Sequence, residues 1–201
     1  TAGKIPPFIA TLGAMKILRS VTQQFMQSSS PKVPTGFQQI ARVKVGGQMF
    51  MPILYWLLIA LVLYIVSKKT VFGRHVFAVG SNEKTSRLSG INVNRVKLGV
   101  YALMGAVVAI AAVLQVSRIG AMDPANAGSG YELDSIAAVI VGGTSMSGGK
   151  GSVVGTVFGM LIIAVMNNLL NLLGVPPFLR EAFKGAIIIA AVLLQRKSSD
   201  N

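Results

Sequence analysis

Residues 50–66 and 98–116, FMPILYWLLIALVLYIV and LGVYALMGAVVAIAAVLQV, contain no charged side chain. At about 1.5 Å of rise per residue, each run nearly crosses a hydrocarbon core of about 30 Å as a helix. Lipid offers the peptide backbone no hydrogen bonds, so such runs must satisfy their own N–H and C=O groups, which helices do. Between the runs, residues 68–97 carry Lys68, Lys69, Arg74, Lys84, Arg87, Arg95 and Lys97 against one acid, Glu83. Short loops this rich in cations stay on the cytoplasmic side. The expectation is an all-α, polytopic transmembrane helix bundle with 68–97 as its principal cytoplasmic loop.

Composition agrees. The chain is 52% hydrophobic and 12% charged, against about 25% charged in soluble domains, and its mean hydropathy is +0.64. A net charge of +13 would suggest nucleic acid in a soluble protein. Here the cations flank apolar spans, and no basic helix interleaved with aromatics appears, so nucleic acid is excluded as a partner. The absence of cysteine and the single histidine, His75, leave no disulfide, thiolate or histidine-cluster metal site. His75 lies beside Arg74 and is expected to be solvated. No cofactor is expected. The chain opens on Thr1 without a basic, small-residue-terminated signal segment, so further helices are expected upstream of a single transmembrane domain, 1–201.

Residues 5–18, IPPFIATLGAMKIL, are short, open on Pro6-Pro7 and contain Lys16, which suggests a broken or re-entrant segment. The polar stretch 19–49 reads as an extramembrane loop with a short surface helix. Its Arg19, Lys32, Arg42 and Lys44 run against the charge rule if it lies outside. With 68–97 inside, 117–135 falls outside, where Glu132 and Asp134 could guard the outer mouth but are expected to be solvated. The apolar run 136–143 is too short to span alone, and 133–146 is expected to cross as a broken segment. Residues 152–173 are long enough to span. Residues 185–194 suffice if Glu181–Lys184 and Gln195 extend them to the interfaces. That arrangement puts Arg196, Lys197 and the C-terminus in the cytoplasm.

Several motifs carry alternative readings. Gly151, Gly155 and Gly159 recur every four residues, the spacing that lets helix backbones approach closely in lipid. Gly105 and Ala109 repeat it. The segment GGTSMSGGKGS is not a phosphate loop, because Thr144 and Gly151 stand where that motif needs Gly and Ser or Thr. It suits a tight turn between packed helices. The confident spans hold no ionisable residue of the kind that marks ion pathways. Asn167, Asn168 and Asn171 are the strongly polar side chains of the last long span. They suit either hydrogen bonding between helices or a polar lining for a hydroxylated substrate. No acid pair or serine–histidine arrangement points to an enzyme.

Within 68–97, Ser81 or Asn82 can cap a short helix over Glu83–Leu88, with Glu83 favoured by the helix dipole. Gly90 suits the position just past its end. A short amphipathic helix on the cytoplasmic face fits docking into a groove on a soluble partner.

GSNEKTSRLSGINVNRVK resembles the ATPase-contacting loop of bacterial sugar permeases of the ribose/xylose/arabinose/galactose type, in the ABC importer superfamily. The likeness continues through Gly128–Thr156, Asn167–Phe178 and Pro6–Met15, and is nearest to ribose-type permeases. It implies a C-terminal part of a permease subunit of the bacterial inner membrane, two copies of which form the translocation path. It further implies a cytoplasmic ABC ATPase subunit and an external sugar-binding protein as partners. The family's ATPase contacts carry over onto Glu83, Arg87, Gly90 and Ile91, and this Glu83–Leu88 segment becomes a coupling helix. Thr85 and Ser86 stand where the family usually has alanines. Two alternatives remain at this stage: a branched-chain amino acid permease of the same superfamily, and an ion-coupled secondary transporter.

Overall fold

The computed structural model describes residues 7–27, 29–30, 32–43, 50–176, 179–180, 182–187 and 189. Its helices are α1 (Pro7–Met26), α2 (Thr35–Arg42), α3 (Met51–Lys69), α4 (Val71–Ser81), α5 (Glu83–Leu88), α6 (Val93–Ile119), α7 (Tyr131–Val141) and α8 (Val153–Leu172). Residues 182–187 are also helical. Among the described residues there is no strand, only an isolated antiparallel bridge between Lys32 and Ala121. The chain is all-α. Helices α3, α6 and α8 are long and apolar enough to cross a membrane.

The charge-free runs understate these helices. Helix α3 continues through Lys68 and Lys69. Helix α6, with 27 residues, measures about 40 Å and carries Arg95, Lys97 and Arg118 within its terminal turns. Long cationic side chains reach from such turns to the interface, so charge ends the apolar run before it ends the helix. Helix α7 has 11 residues, about 16 Å; it begins two residues before the 133–146 stretch expected to cross as a broken segment and is too short to span alone. Of the span expected at 185–194, residues 188 and 190–194 lie outside the described residues, as do Arg196 and Lys197.

Three expectations are corrected. Residues 7–18 are not broken; they form the first part of the continuous 20-residue α1. Pro7 occupies the first helical position, where its missing N–H costs nothing. Residues 19–26, expected as loop, complete α1, where glutamine is a good helix former; the Thr22 hydroxyl donates back to the Leu18 carbonyl at 2.9 Å without breaking the helix. The 68–97 loop is also largely helical, since α4 and the first turn of α6 lie within it.

The chain divides into two compact units, residues 1–52 with 109–129, and residues 53–108 with 130–201. In the first, α2 and the end of α6 are joined by polar contacts. Ser117 is fully buried; its hydroxyl donates to the Phe37 carbonyl at 2.8 Å and accepts from the Ala41 N–H at 3.0 Å. The Arg42 guanidinium donates to the Arg118 and Ile119 carbonyls at 3.0 and 2.9 Å, satisfying groups a helix end leaves without partners. Arg19 of α1 donates to the Ala125 and Ala127 carbonyls at 2.6 and 3.2 Å.

In the second unit, α7 and α8 form an antiparallel hairpin around Ala137, Ala138 and Ile163, covered by Val141, Met166 and Ile187. Glycine makes this approach possible. A Cβ on Gly159 would collide with the Ala138 carbonyl oxygen, and one on Gly155 with that of Gly142. The Ser152 hydroxyl caps α8, accepting from the Gly155 N–H at 3.2 Å.

Ser117→Ala removes both polar contacts to α2 and is expected to lower stability by about 1 kcal/mol, read as a decreased melting temperature of the detergent-solubilised full-length protein.

Candidate functional site

The exposed surface around α5 is assembled from local signals. Thr70 follows α3 and caps α4, its hydroxyl accepting from the Gly73 N–H at 3.1 Å and donating to the Val66 carbonyl at 2.6 Å. A Cβ on Gly73 would lie 2.7 Å from the Ser67 carbonyl carbon, so glycine lets α4 fold back on the end of α3. Phe72 then packs across Gly99 of α6, where a Cβ would come within 2.8 Å of its ring.

Asn82 terminates α4 and starts α5. Its N–H reaches the Ala78 carbonyl at 3.1 Å, and its side-chain oxygen accepts from the Thr85 N–H at 3.0 Å. Of the two residues expected to cap, Asn82 does so. At the far end, the Gly90 N–H donates to Arg87 and the Ile91 N–H to Ser86, at 3.1 and 3.0 Å. These paired bonds form a Schellman motif around a left-handed residue, and Gly90 has φ +80°. A side chain there would be strained.

Glu83 joins this helix to α6. Its carboxylate accepts from Arg87 at 2.8 Å, one turn along α5, and from Lys97 at 2.6 Å. The Lys97 hydrogen bond, then that from Arg87, holds the Glu83 carboxyl below the ordinary glutamate range. Inward-facing Ser86, Val93 and Val96 are buried, whereas Leu88 is 89% exposed. Arg87, Gly90 and Ile91, with Asn92, Val93 and Asn94, line a shallow concavity of about 400 Å³. The four residues Glu83, Arg87, Gly90 and Ile91 thus lie together: an ion-paired acid, a cation, a tight turn and a half-buried apolar side chain. His75, expected to be solvated, is half-buried in a neighbouring recess with Phe72, Ile91 and Val96.

The glycine-rich turn between α7 and α8 meets the base of this surface. A Cβ on Gly80 would lie 2.9 Å from the Gly149 nitrogen, and one on Gly149 would lie 2.8 Å from the Ser81 Cα. Gly148, at φ +84°, faces the Gly80 carbonyl. Gly151 instead faces the Thr144 side chain, and nothing crowds Gly105. The α7–α8 turn therefore abuts the α4–α5 junction backbone to backbone. Sequence reasoning missed this contact; its signal was the Gly148-Gly149 pair, read only as a turn.

A second polar group lies towards the other end of the hairpin. Asn171 accepts from Arg180 at 3.1 Å. Asn167 shares its helix face one turn earlier and is half-buried, while Asn168 is exposed. Asp134, expected to be solvated, pairs with Lys184 at 2.9 Å, their side chains only 20% and 14% exposed. Arg180 and Lys184 were not anticipated, because their partners are distant in sequence. Among the described residues, no group of three or more His, Cys, Asp or Glu side chains could hold a metal ion.

Three membrane-length apolar helices define an integral membrane protein, and an exposed, doubly capped short helix lies on its cationic 68–97 segment. The chain belongs to the family described as branched-chain amino acid transport system / permease component, which it matches over residues 2–192. It is 44% identical over 202 residues to the ribose import permease protein RbsC of Bacillus subtilis (strain 168), covering 99% of this chain and 62% of that protein. It is 42% identical to RbsC of Escherichia coli (strain K12), with 97% and 62% covered. Identity to the galactose/methyl galactoside import permease protein MglC of E. coli (strain K12) is 40%, with 94% and 58% covered. The chain thus spans about three fifths of the length of these curated relatives. No solved structure matches.

Two outcomes follow from the geometry. Because its pKa is lowered, Glu83 stabilises α5 fully above the ordinary glutamate range and loses this contribution as pH falls through its lowered value. The protection of the 83–88 amides relative to their intrinsic exchange rates should therefore be constant near neutral pH and fall only below that range, and high salt should mimic part of the effect. Gly148→Ala places a side chain at positive φ against the Gly80 backbone and should cost about 1–3 kcal/mol, measured by thermal unfolding, whereas Gly105→Ala should cost little.

Proposed function

We propose that this chain is the core of a permease subunit of an ATP-driven importer in the bacterial inner membrane. Its cargo is a monosaccharide, ribose or a related sugar, delivered by an external binding protein. The identity to ribose and galactose import permeases along nearly the whole chain carries this reading. The family description alone would favour branched-chain amino acids. Sugar is preferred because the similar relatives named here are sugar permeases and because α8 presents amide side chains suited to hydroxyls.

In this reading the 68–97 segment and the C-terminus are cytoplasmic, and α5 docks on a separate ABC ATPase through Glu83, Arg87, Gly90 and Ile91. Leu88 offers an apolar anchor for a groove on that partner. Two permease copies enclose the path, with lipid against the exposed apolar faces of α3 and α6. Gly155 and Gly159 serve helix packing, Gly151 sits against Thr144 in the turn before α8, and Asn167, Asn168 and Asn171 line the sugar's route. The permease subunit does no chemistry itself. ATP acts by binding differently to two states of the assembly: closing the ATPase domains moves α5, and the α7–α8 turn seated on the α4–α5 junction moves with it.

The test is uptake by the complete reading frame reconstituted with its ATPase and binding protein, using pentoses and hexoses with ATP or a non-hydrolysable analogue. ATP-dependent accumulation of one sugar supports the reading. Uptake of a branched-chain amino acid, or uptake driven by a sodium or proton gradient without ATP, overturns it. Gly90→Pro cannot adopt the required φ, and Glu83→Arg replaces two ion pairs with repulsion. Each should lower ATP-driven uptake by about tenfold or more while membrane insertion persists; normal uptake in both would count against α5 as the docking element.

A further inference from the structure

Near the start of α7, the end of α8 and the helical residues 182–187, one constellation combines Asp134, Asn167, Asn171, Arg180 and Lys184. Three of its polar atoms are buried without a hydrogen bond; Asp134 Oδ1 is one, but it lies 2.9 Å from the Lys184 ammonium that matches its charge, and the other two stand out. The Asn167 Oδ1 and the Arg180 Nε are each buried from solvent, and neither has a hydrogen-bond partner among the described residues. Asn167 and Asn171 lie one turn apart on α8, about 6 Å along the helix axis, and Arg180 already donates to Asn171 through its terminal nitrogen. The Arg180 guanidinium is therefore tied to the α8 face that also carries Asn167. The Asp134–Lys184 pair, whose lysine stands four residues beyond Arg180, is largely removed from solvent.

Buried polar atoms without partners are rare in folded proteins, and each calls for an explanation. Here one orphan is an acceptor and the other a donor. A hydroxyl group answers both kinds of need, because it donates and accepts; a polyol with adjacent hydroxyls can do so at two points separated by a few ångströms. The charge of Asp134 is already matched by Lys184, so no net carboxylate is left to demand a cationic ligand.

We propose that Asn167 and Arg180, backed by Asn171 and the Asp134–Lys184 pair, form a hydroxyl-recognition station that a sugar contacts on its way through the permease. This rests on the sugar-permease reading and adds a specific site to it. Asn167 and Arg180 are the contacting groups. Asn171 is a positioning residue, since its carbonyl orients the guanidinium.

The experiment uses the full-length permease reconstituted with its ATPase and with binding protein saturated by each sugar. Uptake rates are compared for ribose and for its single-deoxy analogues, in the parent protein and in Asn167→Leu and Arg180→Lys. The parent should move at least one deoxy analogue about tenfold more slowly than ribose, and Asn167→Leu should lose that discrimination, slowing ribose to the analogue's rate. Arg180→Lys keeps the charge but not the Nε donor, and should lose discrimination against a different hydroxyl. If both variants slow every sugar by the same factor, or neither changes any rate, the atoms serve packing or a buried water and the station is refuted. If the parent protein shows no ATP-driven sugar uptake, the permease reading itself fails; if it transports and only discrimination is unaltered, the station alone fails.

Discussion

Lipid supplies no hydrogen bonds to the peptide backbone, and the fold follows from that constraint. Helices α3, α6 and α8 meet it alone, each with all its internal backbone bonds closed. Where the chain must turn, side chains substitute: Thr70 for α4, Asn82 for α5, Ser152 for α8, and Arg42 for the last carbonyls of α6. Hydrophobic burial contributes less here than in a soluble domain, because lipid tails are as apolar as the helices. Helices α3 and α6 bury none of their apolar windows, so close contact must come from elsewhere. It comes from missing side chains, as at Gly142, Gly155 and Gly159 along the α7–α8 hairpin.

That hairpin gives the second compact unit a rigid member with a different chemistry at each end. Its turn, Gly148-Gly149, rests against the backbone at Gly80 and Ser81 where α4 passes into α5. Towards its other end lie Asn167, Asn171 and Asp134, tied to Arg180 and Lys184. Helix α8 alone, with 20 residues, spans about 30 Å, roughly the thickness of a hydrocarbon core. Packed backbones that meet without intervening side chains have little room to slide. The short exposed helix α5 abuts one end of this hairpin and the polar cluster lies towards the other.

The sequence was legible where the physics is local. Freedom from charge marks α3, α6 and α8, although Lys68, Lys69, Arg95 and Lys97 hid the ends of two of them. Helix α5 was readable almost to the residue, because the Asn82 cap, the acid at Glu83 and the glycine at position 90 each act within one turn. Helix α4 was obscured by its setting among cations, and the polar half of α1 by glutamine and serine, which suit loops and helices alike. The contact of Gly80 with Gly148 and the pair between Asp134 and Lys184 join residues far apart in sequence. No local pattern announces such contacts, and Asp134 accordingly looked like a solvated loop residue when it is a largely covered one.

The central claim is that α5 presents Leu88 to a cytoplasmic ATPase. The most direct measurement places a photo-crosslinking residue at position 88 of the full-length permease, assembled in membranes with its ATPase and binding protein, with position 162 in α8 as a control. The account predicts an adduct with the ATPase subunit from position 88 and none from position 162. An adduct from position 88 with the external binding protein, or no ATPase adduct at all, would contradict it.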